Sequence, residues 1–168
     1  MTLKVAINGL GRIGRCVIRA ICESDFPFEI VAINGSQSAA DYLHLIKYDS
    51  VHGRFNGNLV VDGDGLRIGK HRVSIINHRN IEDISWQQFN VDIVFECTGK
   101  FTKRKDAVKH LAAGAKRVMI SAPSSDADRT IVYGVNNAQL SATDEVISIG
   151  SCTTNAIAPL AKILHDQF

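Results

Sequence analysis

Two stretches of this chain carry residue types that do chemistry at a useful spacing, and one of them is Ser151-Cys152-Thr153-Thr154-Asn155. A thiol stands there among hydroxyl and amide groups. Ile157, Leu160, Ala161 and Leu164 follow at helical spacing, which predicts that Cys152 sits at or near a helix N-terminus. The positive end of a helix dipole favours the thiolate, the nucleophilic form, and backbone N–H groups of the same turn can hold an oxyanion. Pro159 limits how early a straight helix can begin. Taken alone, these residues also fit a buried cysteine at a helix start. Cys16, Cys22 and Cys97 show neither metal-ligand spacing nor a disulfide framework, and are expected to be small buried apolar residues.

The other stretch is Leu3-Lys4-Val5-Ala6-Ile7-Asn8-Gly9-Leu10-Gly11-Arg12-Ile13-Gly14. Val5 to Ile7 is a short apolar run of strand character, and apolar positions 13, 17, 20 and 21 continue it with helical spacing. A strand, a G-x-G-x-x-G turn and a helix in direct succession form a cradle for a dinucleotide pyrophosphate. Gly9 permits the tight turn, Gly11 lets backbone N–H groups approach the phosphates, and Gly14 allows helix to pack on strand. A glycine-rich turn without a ligand is the bland alternative; the flanking strand and helix favour the cradle.

The remaining elements must bring these two stretches together. Residues 28–34 read as a second strand, and Asn34 falls 20 residues after Gly14, where such domains meet the adenosine ribose. Residues 39–48 are helical, and 58–78 form a small antiparallel excursion punctuated by Asp62-Gly63-Asp64-Gly65 and Gly69-Lys70. A buried strand over 91–96 leads into Cys97-Thr98-Gly99-Lys100-Phe101, and a helix over 103–113 is closed by Gly114. Strands over 117–120, 130–133 and 146–149 complete the set, with Ser121 opening an exit loop. This alternation predicts an α/β fold, a Rossmann-type doubly wound and mostly parallel sheet. Gly9, Asn34, Thr98, Gly99 and Ser121 then meet at one edge of the sheet. Residues 1–150 are expected to be the dinucleotide-binding domain, and 151–168 the first helix of a catalytic domain.

Composition agrees with a globular protein of this kind. Of 168 residues 45% are hydrophobic, and 19 Lys+Arg against 17 Asp+Glu leave no charge signature of a nucleic-acid or membrane partner. No apolar run approaches a membrane span, and Met-Thr-Leu-Lys leads straight into a strand rather than a signal peptide. The expected compartment is the cytoplasm.

With these residues in place, the chain resembles the N-terminal half of glyceraldehyde-3-phosphate dehydrogenases over essentially its whole length. The matching pieces, in family order, are residues 6–15, Leu45-Ile46-Lys47-Tyr48-Asp49-Ser50-Val51-His52-Gly53-Arg54-Phe55, Glu96-Cys97-Thr98-Gly99-Lys100-Phe101, Ile120-Ser121-Ala122-Pro123 and Ser151-Cys152-Thr153-Thr154-Asn155. The resemblance implies that Cys152 attacks an aldehyde, that hydride passes to NAD or NADP, and that inorganic phosphate cleaves the resulting thioester. It implies Ser151 and Thr153 against the substrate or phosphate, and Arg12 and Ile13 over the pyrophosphate. Arg79, Thr98, Phe101 and Ser121 would surround adenine and nicotinamide, with Asn8, Gly9, Gly11, Asn34, Gly35, Ser36 and Gly99 completing the cofactor site. A phosphorylated aldehyde substrate, no metal and a homotetramer are implied as well.

Three departures qualify the resemblance. Gly35, followed by Ser36, stands where the family usually has an acid. An acid there bonds the ribose 2′-OH of NAD and repels the 2′-phosphate of NADP, so its absence opens the site to NADP. Ile149-Gly150 replaces the commoner Asn-Ala before Ser151. The general-base histidine expected beyond Cys152 has no counterpart, since His44, His52, His71, His78 and His110 stand outside that motif and His165 is too close along the same helix. A chain of this extent is therefore expected to bind dinucleotide weakly, to turn over little aldehyde and to leave the apolar stripe of its last helix exposed. Erythrose-4-phosphate dehydrogenase is the alternative on the same scaffold. A non-catalytic dinucleotide-binding or redox-sensing module is the alternative from another class.

Overall fold

The innermost strand comes first in the chain. In the computed structural model, which describes residues 2–168, β1 (Leu3–Asn8) buries Val5, Ala6 and Ile7 completely, as a strand covered on both faces must. It is followed by α1 (Arg12–Cys22), β2 (Phe28–Asn34) and α2 (Ala39–Lys47), whose N-terminus is closed by a reciprocal Ser38–Asp41 capping box. The two-residue strands β3 (Tyr48–Asp49) and β4 (Gly53–Arg54) pair with each other. Then come β5 (Leu59–Asp62), β6 (Gly65–Ile68), β7 (His71–Ile76), β8 (Ile93–Glu96), α3 (Arg104–Ala112), β9 (Arg117–Ile120), β10 (Arg129–Thr130), β11 (Val146–Ser148) and α4 (Cys152–Gln167).

Nine strands make one sheet in the order β10-β11-β9-β8-β1-β2-β7-β6-β5. All neighbours from β10 to β7 are parallel, while β6 is antiparallel to both β5 and β7. This is the expected Rossmann-type α/β sheet. The excursion over 58–78 is antiparallel as expected, and its last strand also runs parallel to β2, so it extends the main sheet. Strands are added on one side of β1 and then on the other, and the crevice between the diverging connections lies above β1 and β8.

Several local expectations are corrected. The strand read over 130–133 stops at Thr130, because the Asn136 side chain takes the Val132 N–H at 2.7 Å and gives its own N–H to the Thr130 carbonyl at 3.0 Å. Those bonds turn the chain out of the sheet. Cys97 is buried, but Cys16 and Cys22 are only half-buried on the helix. Pro159 does not delay α4, which starts at Cys152 and carries the proline in its interior, where the missing N–H leaves one helical bond unmade. Short 3-10 turns at Ile81–Asp83 and Trp86–Phe89 were not legible as periodicity; they bury Ile81 and Trp86, and Trp86 packs against Ala6, Ala32 and Val94 of the sheet.

α4 differs from the other helices in burying none of its residues, and Ile157, Leu160, Ile163 and Leu164 are each 60–63% exposed. Among the described residues no helix is long and apolar enough to cross a membrane.

Candidate functional site

The carboxyl end of β1 supplies the floor of the main cleft. Gly9 takes a left-handed conformation (φ +93°), and a β-carbon there would meet the Thr98 backbone at 2.8–2.9 Å, so only glycine lets the two loops close on each other. A β-carbon on Gly14 would collide with the Gly9 carbonyl and touch Ile7 at 3.3 Å, which is the helix-on-strand contact expected of the third glycine. Gly11 has no atom within 4 Å of its would-be side chain. It is also the N-cap of α1, with no capping side chain and no acid in the first helical turn. The first N–H groups of α1 are thus left for an anion.

A cleft of about 630 Å³ opens above this turn. Of the residues expected to hold the cofactor, Asn8, Gly9, Gly11, Asn34, Gly35, Ser36, Arg79, Thr98 and Phe101 line it. Arg12, Ile13, Gly99 and Ser121 are outside its wall. Arg12 is drawn to the β3–β4 turn, donating to Asp49 at 3.1 Å and to Ser50 at 3.2 Å. The Asp49 carboxyl is held well below the usual carboxylate range by the His52 and Val51 N–H groups, with Arg12 adding to them. Ile13 stays exposed on the first turn of α1. Near Ser121, burial pushes the Cys97 thiol up to about 11, with Ser121 pulling the other way. Ser121 and Gly99 both follow strands at the same sheet edge.

The charge of the cleft is one-sided. Arg15, Arg79 and Lys100 line it and no carboxylate does. Sequence reading missed Arg15 and Lys100 as lining residues, along with Gln37, Tyr42 and His78. The feature that could have flagged Arg15 is its place one residue after the last motif glycine, on the first turn of the helix that meets the phosphates.

Beneath the floor lies a buried polar network that sequence reading did not assign a role. Glu96 ends β8 almost fully buried and accepts the Asn8 side-chain N–H at 2.5 Å, the Thr98 backbone N–H at 2.8 Å and the Thr98 hydroxyl. Asn8 accepts in turn from Asn34 at 2.7 Å, and Asn34 is clamped to the His78 backbone by two 2.9 Å bonds. The three strand-end side chains Asn8, Asn34 and Glu96 therefore hold one another across β2, β1 and β8.

The thiol stands further along the same edge. β11 is two strands from β8, roughly 10 Å at the usual strand spacing, and it leads through Ile149-Gly150 into α4. Gly150 takes a left-handed conformation (φ +72°), so the departure at this position supplies the turn a residue that adopts it without strain. Ser151 is the N-cap, its hydroxyl accepting the Thr154 N–H at 2.9 Å and lying 2.8 Å from the Thr153 hydroxyl. Asn155 ties the turn down by donating to the carbonyls of Ile149 and Ser151. Cys152 is the first residue of α4 and is exposed. The cap leaves the Cys152 and Thr153 N–H groups outside its reach, beside the thiol.

Comparison with known proteins joins the glycine turn, the cleft and the thiol. Residues 3–104 match the family model described as glyceraldehyde 3-phosphate dehydrogenase, NAD binding domain. The chain belongs to this family. It is 54% identical over 170 aligned residues to the chromosomal glyceraldehyde-3-phosphate dehydrogenase of Cupriavidus necator, an alignment that covers 99% of the chain and 51% of that protein. It is 52% identical to the enzyme of Priestia megaterium and 49% identical to that of Geobacillus stearothermophilus, covering 100% of the chain and 50% of each relative. The chain thus spans about half the length of the curated relatives it matches. What it carries is the family's NAD-binding domain, together with the stretch that holds Cys152.

Proposed function

We propose that the chain is the dinucleotide-binding part of a phosphorylating glyceraldehyde-3-phosphate dehydrogenase that takes NAD or NADP. The observation that carries this reading is the one edge of the sheet that offers both a cationic, carboxylate-free cleft over the glycine turn and a thiol on a helix N-terminus. The phosphates lie on the uncapped N-terminus of α1, with Arg15, Arg79 and Lys100 balancing their charge. Asn34, Gly35 and Ser36 meet the adenosine ribose. Gly35 brings no negative charge to the 2′ position, so a 2′-phosphate is admitted as readily as a hydroxyl.

Cys152 is the nucleophile. Its thiolate adds to the aldehyde carbon to give a thiohemiacetal, and the Cys152 N–H helps hold the oxyanion. Bound NAD or NADP supplies the hydride acceptor that leaves a thioester on the sulfur. A phosphate oxygen then attacks the thioester carbon, the C–S bond breaks, and an acyl phosphate leaves with the thiolate restored. Ser151 and Thr153, whose hydroxyls touch, face the substrate or the phosphate. Of this chain's histidines, three are not offered as the base that takes the proton. His71 and His110 are buried, and His165 lies on α4 itself. Residues 1–150 form the cofactor domain and 151–168 the first helix of the catalytic domain, so the chain alone turns over little or no aldehyde. The homotetramer, the place in glycolysis or gluconeogenesis and the cytoplasmic setting belong to the same proposal.

Titrating the 168-residue chain with NADH and NADPH by fluorescence tests the cofactor half; saturable binding of at least one is expected, and binding of neither overturns it. For the chemistry, the chain is incubated with glyceraldehyde 3-phosphate and NAD and its mass measured. Turnover near that of a complete enzyme would refute the assignment of a missing base. Mass addition at Cys97 rather than Cys152 would refute the nucleophile.

A further inference from the structure

The place vacated by the missing acid is not empty. A β-carbon on Gly35 would collide with the Tyr42 hydroxyl oxygen and stand 2.7 Å from Tyr42 Cζ and 3.0 Å from Cε2. Gly35 is not in a left-handed conformation, so it is the tyrosine that excludes a side chain there and not the backbone. Tyr42 sits on the first turns of α2, is nearly fully buried, and both it and Gly35 line the cleft. Its hydroxyl oxygen accepts the Gln37 N–H at 3.1 Å, which fixes the ring against the end of β2. Among the described residues no acceptor takes the hydroxyl's own proton. Ser36 and Gln37 flank the same point of the cleft wall.

We infer that Tyr42 is a specificity-determining residue of the cofactor site: its hydroxyl replaces the carboxylate and reads the 2′ substituent of the adenosine ribose as a hydrogen-bond donor. This rests on the reading of the cleft as a dinucleotide site. A carboxylate at the end of β2 accepts from a 2′-hydroxyl and repels a 2′-phosphate. A phenol whose oxygen already accepts a backbone N–H has a proton to give, and gives it best to an anionic oxygen. Gly35 and Tyr42 therefore act as one unit. The glycine makes the room, and the tyrosine fills it with the opposite hydrogen-bonding sense. Restoring an acid at position 35 alone puts its β-carbon into the tyrosine ring.

Dissociation constants for NADH and NADPH are measured on the 168-residue chain, on Tyr42→Phe, on Gly35→Asp and on the double variant Gly35→Asp/Tyr42→Leu. Tyr42→Phe keeps the ring and removes only the hydroxyl. It is expected to weaken NADPH about tenfold and NADH less than about threefold, since bonds to charged groups exceed neutral ones. The double variant is expected to bind NADH in preference to NADPH, and Gly35→Asp alone to bind both poorly. An unchanged ratio of the two constants in Tyr42→Phe overturns the inference while leaving the dinucleotide reading intact. So does a switch to NADH by Gly35→Asp with Tyr42 in place. If the unsubstituted chain binds neither cofactor, the inference falls together with the reading it rests on.

Discussion

The indole N–H of Trp86 donates to Nδ1 of His110 across 2.9 Å, and this bond decides which way the network under the cleft is polarised. Tryptophan can only donate, so Nδ1 of His110 is an acceptor and the ring proton sits on Nε2. Nε2 lies 3.1 Å from Glu96 Oε2, and both side chains are essentially inaccessible. Glu96 is then surrounded by donors alone: His110, Asn8, and the N–H and hydroxyl of Thr98. Asn8 and Thr98 line the cleft and Trp86 and His110 do not, so a tryptophan and a histidine behind the cleft wall set the orientation of groups that face it.

Glu96→Gln follows from this arrangement. An amide keeps one acceptor but turns an N–H toward donors that have no other partner, which leaves buried polar groups unmatched. A loss of about 3 kcal/mol in urea unfolding is expected, because buried groups bonded to a charge are costly to strand. Trp86→Phe strands a single acceptor and should cost about 1–3 kcal/mol. Wild-type stability of Glu96→Gln would overturn the reading that these four donors need a carboxylate.

The first and second glycines of the turn should fail in different ways. Gly9→Ala adds a β-carbon to a left-handed residue pressed on Thr98, so the chain should lose about 1–3 kcal/mol of stability. Gly11→Ala enters open space in an ordinary backbone conformation and should cost less than about 1 kcal/mol. Its methyl group stands where a pyrophosphate approaches α1, and NADH affinity should drop by about tenfold or more. Paired denaturation and binding curves separate the two, and equal stability losses would contradict the geometry.

Much of this was legible in the sequence for a simple reason. Strands such as Val5 to Ile7 are apolar on both faces, and glycines at fixed offsets announce the turn that follows, so sheet class and cradle are local signals. Tyr42 and Glu96 were not legible because their roles are relations across the fold. Nothing near Tyr42 in sequence says that its hydroxyl will reach Gly35, and an acid at the end of an apolar strand does not name the donors that will surround it. The same holds for Thr130 to Tyr133, where β-branched residues suggested a strand and a single Asn136 side chain turned the chain away. α4 was legible as a helix from its stripe, and the stripe is exposed as expected, though nothing in it says what it would pack against.

Limited alkylation should separate Cys152 from Cys22 and Cys97. Cys152 is exposed at the start of α4, whereas burial pushes Cys22 and Cys97 up to about 11 from 9.0. That difference lowers their thiolate fraction about a hundredfold at neutral pH, before access is considered. With one equivalent of iodoacetamide, peptide mapping should place most of the first label on Cys152. Prior saturation with NADH tests proximity: slower labelling of Cys152 is expected, and faster labelling of Cys97 would point to opening of the β8 exit loop.

His71 should give the fold an acid-sensitive joint at the outer side of β2. Its ring is buried, Nδ1 accepts the Ile30 N–H at 3.3 Å, and desolvation, with the Lys70 charge second, holds its pKa below 6.5 while Glu29 pulls weakly the other way. The folded state therefore resists a proton that the unfolded chain accepts. Between 6.5 and the lower folded value the unfolded state binds more protons, so stability is full above that window and falls as pH drops through it. His71→Gln keeps an oxygen to accept the Ile30 N–H and removes the titration. Melting curves from neutral pH down through this window should fall more steeply for the unsubstituted chain than for His71→Gln. Parallel curves would mean that protonated His71 finds a stabilising partner in the folded state, and Glu29 is the residue to test next.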